Sequence, residues 1–181
     1  ADGAGGGRRL SLAVATGGNP ESSVRAAVLG LPINYAIIGG KPSQFAPLAD
    51  LYRREFRARD SFPTAEPSVT LSGFGFVGED GKEAREAFYP SWHRGMTAIA
   101  RERGFPLPNK VTFEATAAPD GAYAVGSVEE VAAKIVRTHR AIGHTRQIFQ
   151  MDMAGMPQAD QLRAIELLGT RVKPLVDAEL G

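Results

Sequence analysis

The residues best suited to chemistry are Thr16-Gly17-Gly18-Asn19-Pro20 and the Glu21, Ser22 and Ser23 that follow. Their chemistry is anion binding. Gly17 and Gly18 let the backbone approach a phosphate and take up positive φ without a Cβ clash. The unpaired N–H groups and the dipole of a following helix favour negative charge. Asn19, Ser22 and Ser23 add side-chain donors, while Glu21 opposes an anion unless it points away. The segment is neither GxGxxG nor a P-loop, so no Rossmann or Walker reading is supported. On spacing alone, a tight turn closed by an N-cap has the better claim, because glycine-rich βα turns are ordinary.

Other candidates are weaker. Ile37-Ile38-Gly39-Gly40-Lys41 ends an apolar run, and Lys41 could meet an anion or simply be a solvated lysine. In Ser72-Gly73-Phe74-Gly75-Phe76 the glycines imply close approach of a ring, or, more economically, curvature or a bulge. Asp152 could orient a ligand or move a proton, but capping of its turn or pairing with an arginine is the favoured reading. Met151, Met153 and Met156 suit an adaptable pocket, and core packing explains them more simply. His93 and Trp92 have no second catalytic group beside them, and His139 reads as a helix-packing residue. The residues from Arg53 to Arg59 read as a solvated helical face.

These residues need strands and helices to position them. Strands are expected at Leu10–Thr16, Ile33–Ile38, Val69–Val77 and Gln147–Met153, the first two apolar enough for a sheet covered on both faces. Asn19 and Pro20 should start the first helix and Gly30 end it. Phe45, Leu48, Ala49, Tyr52 and Phe56 mark the stripe of a second. A third runs from Lys82 toward Gly104, with a kink or interruption expected at Pro90. Ser127 and Glu130 form a capping box for a fourth, with Val131, Ile135 and Ile142 inward. The last follows Pro157 and should bury Leu162, Ile165, Leu168, Val172 and Leu175. Phe105 to Gly126 reads as a long irregular insertion. Alternating strands and helices predict a parallel α/β architecture. Four βα units satisfy an open sheet or half of a barrel, and are too few for a closed eight-stranded one.

Composition narrows the classes. The 181 residues are 43% hydrophobic and 23% charged, with a net charge of +1, so neither nucleic acid nor an anionic membrane is an expected partner. No apolar run approaches the ~20 residues needed to cross a bilayer. The absence of cysteine excludes disulfides, thiolate catalysis and cysteine-ligated metal, and His93, His139 and His144 lack metal-site spacing, so no metal is expected. Residues 1–9 read as a flexible lead-in, and a cytoplasmic setting is the default.

The segment LAVATGGNPESSVRAAVLGLPINYAIIGG resembles the middle of the luciferase-like flavin-dependent monooxygenases. The likeness continues through FAPLADLYRREF, VTLSGFGFVGEDGKEAREAFYPSW, YAVGSVEEVAAKIVRTHRAIG and QIFQMDMAGMPQADQLRAIELLGTRVKPLV. It implies that residues 10–181 are the C-terminal half of a (β/α)8 TIM barrel, strands five to eight. In that family the turn after strand five contributes to the flavin phosphate site, which carries over to Thr16, Gly17, Gly18, Asn19 and Ser22. Gly39 and Gly40 could let the flavin approach. The implied function is reduced FMN activating O2 to oxidise a small organic substrate, with deazaflavin hydride transfer as an alternative. The usual catalytic positions belong to the first four βα units, so no catalytic residue is assigned. A non-catalytic flavin-binding or assembly half barrel is the second reading, and an open-sheet binder of phosphate ligands the third. A half barrel leaves two edges and an inner face open. It should self-associate, pair with a complementary half barrel, or be part of a longer protein.

Overall fold

A computed structural model describes residues 11–59 and 66–181. The expected lead-in and the start of the first strand at Leu10 lie outside the described residues. Five strands form one parallel sheet: β1 (Val14–Thr16), β2 (Ile33–Ala36), β3 (Val69–Gly78), β4 (Ala124–Ser127) and β5 (Arg146–Gln150). Between and after them run α1 (Pro20–Val28), α2 (Ala46–Arg57), α3 (Gly81–Arg103), α4 (Lys110–Ala117), α5 (Val128–Ile142), α6 (Gln158–Leu167) and α7 (Lys173–Leu180).

β3 is the centre of the sheet. Thr70, Leu71 and Ser72 pair with both β2 and β5, so these two strands flank β3 on opposite edges. β1 pairs with β2 alone, and β5 with β3 alone. Beyond that level β3 continues, and Gly75–Gly78 pairs with β4. Burial alternates over Val69–Ser72 and becomes continuous over Phe74–Val77. The lower sheet is therefore covered on one face, and the β3–β4 extension on both.

The covered face carries Ile33, Tyr35, Val69 and Leu71, which pack with Ala26, Ala27, Ala49, Tyr52 and Phe56 of α1 and α2. This is the stripe expected of the second helix. The buried Ser23 hydroxyl lies 2.8 Å from the Tyr35 hydroxyl, fastening α1 to β2 through one satisfied polar pair. The other face holds two rows in register, Ala15, Asn34, Thr70 and Arg146, then Ala36, Ser72 and Ile148. These side chains are exposed or half-buried.

Local signals set several boundaries as expected. Asn19 caps α1 and Pro20 opens it, with Gly30 at φ 64° just past its end. Ser127 and Glu130 cap α5 reciprocally. Val131 and Ile142 are buried, while Ile135 is only partly so. Residues 105–126 depart from the expected irregular insertion, since they contain α4, capped by Asn109, and enter β4. α3 runs uninterrupted through Pro90. One backbone bond is forgone there, and the buried Phe88 and Trp92 on either side hold the helix to the core.

The last helix differs most. A π segment over Leu168–Val172 separates α6 from α7 and shifts the phase of the buried stripe. Val172 is buried as expected and Leu168 partly so, but Ala164 and Leu167 take the upstream positions of the stripe, while Leu162, Ile165 and Leu175 are 59%, 53% and 42% exposed. β5 also stops at Gln150, short of Met153. Met151, Met153 and Met156 turn into the core around Phe74, Phe88, Trp92, Phe113 and Tyr123, the packing role that was the simpler reading.

Candidate functional site

Because every strand pairing is parallel, the turns after β1, β2 and β5 open at one end of the sheet, that of the strand C-termini. The turn after β1 forms as the sequence implies, with Gly18 at φ 111°. Its donors, however, are largely spent. Thr16 Oγ1 accepts from the N–H groups of Gly18 (3.3 Å) and Asn19 (3.1 Å). Asn19 Oδ1 accepts from those of Glu21 (2.7 Å) and Ser22 (3.3 Å), and the Asn19 carbonyl from those of Ser22 and Ser23. What stays open is a side-chain set. The Asn19 amide nitrogen and the Ser22 hydroxyl make no hydrogen bond among the described residues, and a Cβ added at Gly17 would meet nothing within 4 Å. A Cβ at Gly18 would lie 3.2 Å from the ring of Phe45, just before α2, and 3.7 Å from Leu48 on it, so this glycine serves packing there as well as the turn.

The turn after β2 follows from its neighbours. Gly40 takes φ 72°, and a Cβ there would lie 2.8 Å from Gln44 Oε1, which accepts from Lys41 N–H. Gly39 faces open space. A groove of about 490 Å³ runs between Gly40–Lys41 and residues 115–121, lined by Thr116, Pro119 and Asp120. Tyr123 donates to the Ile38 carbonyl (3.3 Å), tying the segment before β4 to this loop. Burial raises the Tyr123 hydroxyl pKa above its ordinary value, which keeps it a neutral donor.

After β5, Asp152 is exposed, and its carboxylate neither caps the turn nor pairs with an arginine among the described residues. The favoured reading of Asp152 is corrected on this point. The physical reason is that Arg94, on α3, takes the local backbone instead. Its guanidinium donates to the carbonyls of Ala154 (3.0 Å) and Gly155 (3.2 Å). Sequence reasoning missed Arg94 because its partners are 60 residues away.

The β3 glycines answer to packing within the chain. A Cβ at Gly75 would lie 2.6 Å from Phe149 Cγ, and one at Gly73 2.8 Å from the Ile37 carbonyl oxygen. Gly75→Ala should therefore cost about 1–3 kcal/mol by overpacking, read as a lower urea midpoint at unchanged slope. A loss below about 0.5 kcal/mol would show that the Phe149 ring moves aside freely. His93 is half-buried against the Tyr89 ring, at 5.5 Å between centroids. His139 Nδ1 lies 2.8 Å from the His144 carbonyl, consistent with a packing role. Among the described residues no group of three or more His, Asp or Glu could hold a metal ion. Nor is any helix there long and apolar enough to cross a membrane.

No protein-family model matches the chain, and no curated protein matches it. Solved structures do. Monooxygenase RslO1 from Streptomyces bottropensis is 25% identical, with a TM-score of 0.74 over 91% of this chain and 47% of its own. A type II Baeyer-Villiger monooxygenase follows at 16% identity and TM-score 0.66, over 92% of this chain and 48% of its own. It is the oxygenating constituent of 3,6-diketocamphane monooxygenase from the CAM plasmid of Pseudomonas putida, solved in complex with FMN. The coenzyme F420 dependent tetrahydromethanopterin reductase of Methanopyrus kandleri is 14% identical, with a TM-score of 0.61 over 91% of this chain and 50% of its own. The chain spans about half the length of these structures. Its structural neighbours are luciferase-like monooxygenases and a reductase of similar fold, and its own parallel β/α units form half of such a barrel.

Proposed function

We propose that this half barrel works in a luciferase-like flavin-dependent oxidoreductase, where it contributes part of the flavin phosphate site. The observation carrying this reading is the likeness of its fold, over 91% of the chain, to half of a monooxygenase. The turn after β1 supports it more narrowly. Asn19 and Ser22 keep unbonded side-chain donors beside the N-terminus of α1, and Gly17 leaves room above them. These suit a phosphate group, whereas the backbone N–H groups of Gly18, Asn19, Glu21, Ser22 and Ser23 are bonded internally. When bound, reduced FMN would supply the two electrons needed for one oxygen atom of O2 to enter a small organic substrate and the other to leave as water. Thr16 holds the turn, Asn19 and Ser22 bind the phosphate tail, and Gly39 and Gly40 leave space beside it. A deazaflavin would place the same demands on the phosphate turn, and one neighbour uses coenzyme F420.

Residues 10–181 then act as the C-terminal half of a TIM barrel, completed by a complementary half barrel or by self-association. The protein's own roles are binding, orientation and exclusion of water. A non-catalytic flavin-binding or assembly half barrel is the second reading, favoured by Asp152 and His93 having no paired acid or base among the described residues.

Fluorescence titration of the completed barrel with FMN and with a deazaflavin tests the reading. Tight binding of one, weakened about tenfold by a combined Asn19→Ala and Ser22→Ala change, is the expected result. No binding of either cofactor would sink it. Flavin-dependent O2 consumption then separates the enzyme from the non-catalytic form.

A further inference from the structure

A cavity of about 440 Å³ lies where α3, α4, β4 and α5 meet. That volume is within the range of small-molecule sites, roughly 300–1,000 Å³. The sequence leaves the space open by placing short apolar residues there. Ala117 on α4, Ala124 and Val125 on β4 and Val131 on α5 form its walls. The cavity shares no residue with the turn after β1 or with Gly39 and Gly40, and it meets the groove beside Lys41 at Ala118 and Pro119.

Three cations and two acids complete the lining, and their pairing is uneven. Lys134 donates to three backbone carbonyls. Glu130 accepts from Arg85 at 3.0 Å and from the Ser127 N–H. Glu114 lies 3.1 Å from Lys110 and 3.9 Å from Arg85. Both acids are thus neutralised within the chain. Arg137 is not. Its Nη1 donates to the Pro119 carbonyl and stands 3.7 Å from Asp120, an exposed acid, while Nε and Nη2 make no hydrogen bond among the described residues. Next to burial, repulsion from Arg137 is the strongest influence lowering the Lys134 pKa, as a cavity short of negative charge requires.

We propose that this cavity binds a small aromatic carboxylate, its ring against the alanine and valine walls and its anion on Arg137. The inference stands apart from the flavin reading and concerns a different part of the chain. The charge count selects an anion, and a single one, because a second would face Glu114 and Glu130. The walls carry no unpaired buried donor or acceptor, so a polar body would give up its hydrogen bonds to water without replacement. A ring has few torsions to freeze on binding, unlike a flexible chain of equal area. Guanidinium planes also stack on aromatic faces.

Calorimetric titration of the full chain with 2-naphthoate tests the site. One molecule should bind with a Kd on the order of 0.1 mM. The neutral 2-naphthol, with the same rings, should bind about tenfold more weakly, and so should 2-naphthoate to Arg137→Met. Ala133→Trp fills the cavity from an exposed position on α5 and should abolish binding. Circular dichroism first confirms that both variants are folded. Excess FMN should leave the titration unchanged, so that failure here and failure of the flavin reading are separate results. Equal binding of 2-naphthol would overturn the anion's role. Binding that survives both substitutions, or that FMN displaces, would place the ligand elsewhere and overturn the site. No binding of 2-naphthoate to the folded chain would overturn it outright.

Discussion

Replacing Lys134 by methionine should destabilise the fold by about 3 kcal/mol, the largest loss expected from a single side chain outside the phosphate turn. Lys134 is only 8% exposed, yet it carries an ammonium group. Its Nζ donates to the carbonyls of Ala117 (3.1 Å), Ala118 (2.7 Å) and Tyr123 (2.5 Å). These are the last carbonyls of α4 and the residue leading into β4. One side chain thus closes the C-terminus of a helix, where a cation is favoured, and fixes the start of a strand. Burial pulls its pKa down to about 8, so enclosing the charge is costly. Methionine recovers that cost and keeps the volume, but takes the ammonium donor from the two buried carbonyls of Ala117 and Tyr123, while the Ala118 carbonyl keeps the Gly121 N–H at 2.8 Å. The second term wins, because charged hydrogen bonds are worth about 1.5–3 kcal/mol each. A fall of roughly 6–12 °C in Tm follows for a chain of this size. A fall under about 2 °C would mean that water replaces the ammonium without cost.

The same example shows why part of the fold is legible in the sequence and part is not. Caps are local. Asn19, Pro20 and Gly30 bound α1, and Ser127 with Glu130 bounds α5, because each bond reaches only a few residues. The stripe of α2 is legible for the same reason. α4 and β4 are not. Each is short, and the KVTFEATA and AVGS segments take their structure from distant partners such as Lys134 and the C-terminal half of β3. The stripe of the last helix is misjudged because one π turn, invisible to any period of 3.6, moves the buried line from Ile165 to Ala164 and Leu167.

The candidate site divides along the same line. Its position is legible, since a glycine turn between an apolar strand and a capped helix can lie only at the strands' C-terminal face. Its supply of donors is not. The sequence suggests backbone N–H groups aimed at an anion, whereas Thr16 and Asn19 side chains take most of them. The residues that cap α1 best are those that compete with a ligand for its donors. Phosphate recognition at this turn then depends on Asn19 and Ser22 side chains. Their truncation should affect cofactor affinity more than stability, where a cap contributes only about 1 kcal/mol.

Stability should fall by about 2 kcal/mol between pH 7 and pH 5, and His144 should account for most of the loss. Its side chain is 4% exposed, and its Nδ1 is buried without a hydrogen-bond partner. Burial pushes its pKa down to about 4, helped by neighbouring His139 and Arg53. Nothing nearby compensates a proton. Arg53 is itself held by the carbonyls of Ile142 and Gly143, and Asp50 is paired with Arg53 at 3.4 Å. The sign follows from proton counting. Between the unfolded value near 6.5 and the folded value near 4, the unfolded chain binds a proton that the folded chain refuses. Stability is therefore complete above about pH 6.5 and is lost progressively as pH falls toward 4. Glu79, whose pKa is lowered by hydrogen bonds from Arg163 and Arg171, and Glu129, whose pKa is lowered by its own backbone N–H and then by the Ser127 hydroxyl, act in a more acidic range. The interval from pH 7 to pH 5 thus isolates the histidine. Urea unfolding at several pH values would measure the slope, and His144→Gln should flatten it while lowering stability at pH 7. An equally steep slope in that variant would assign the proton uptake to another group.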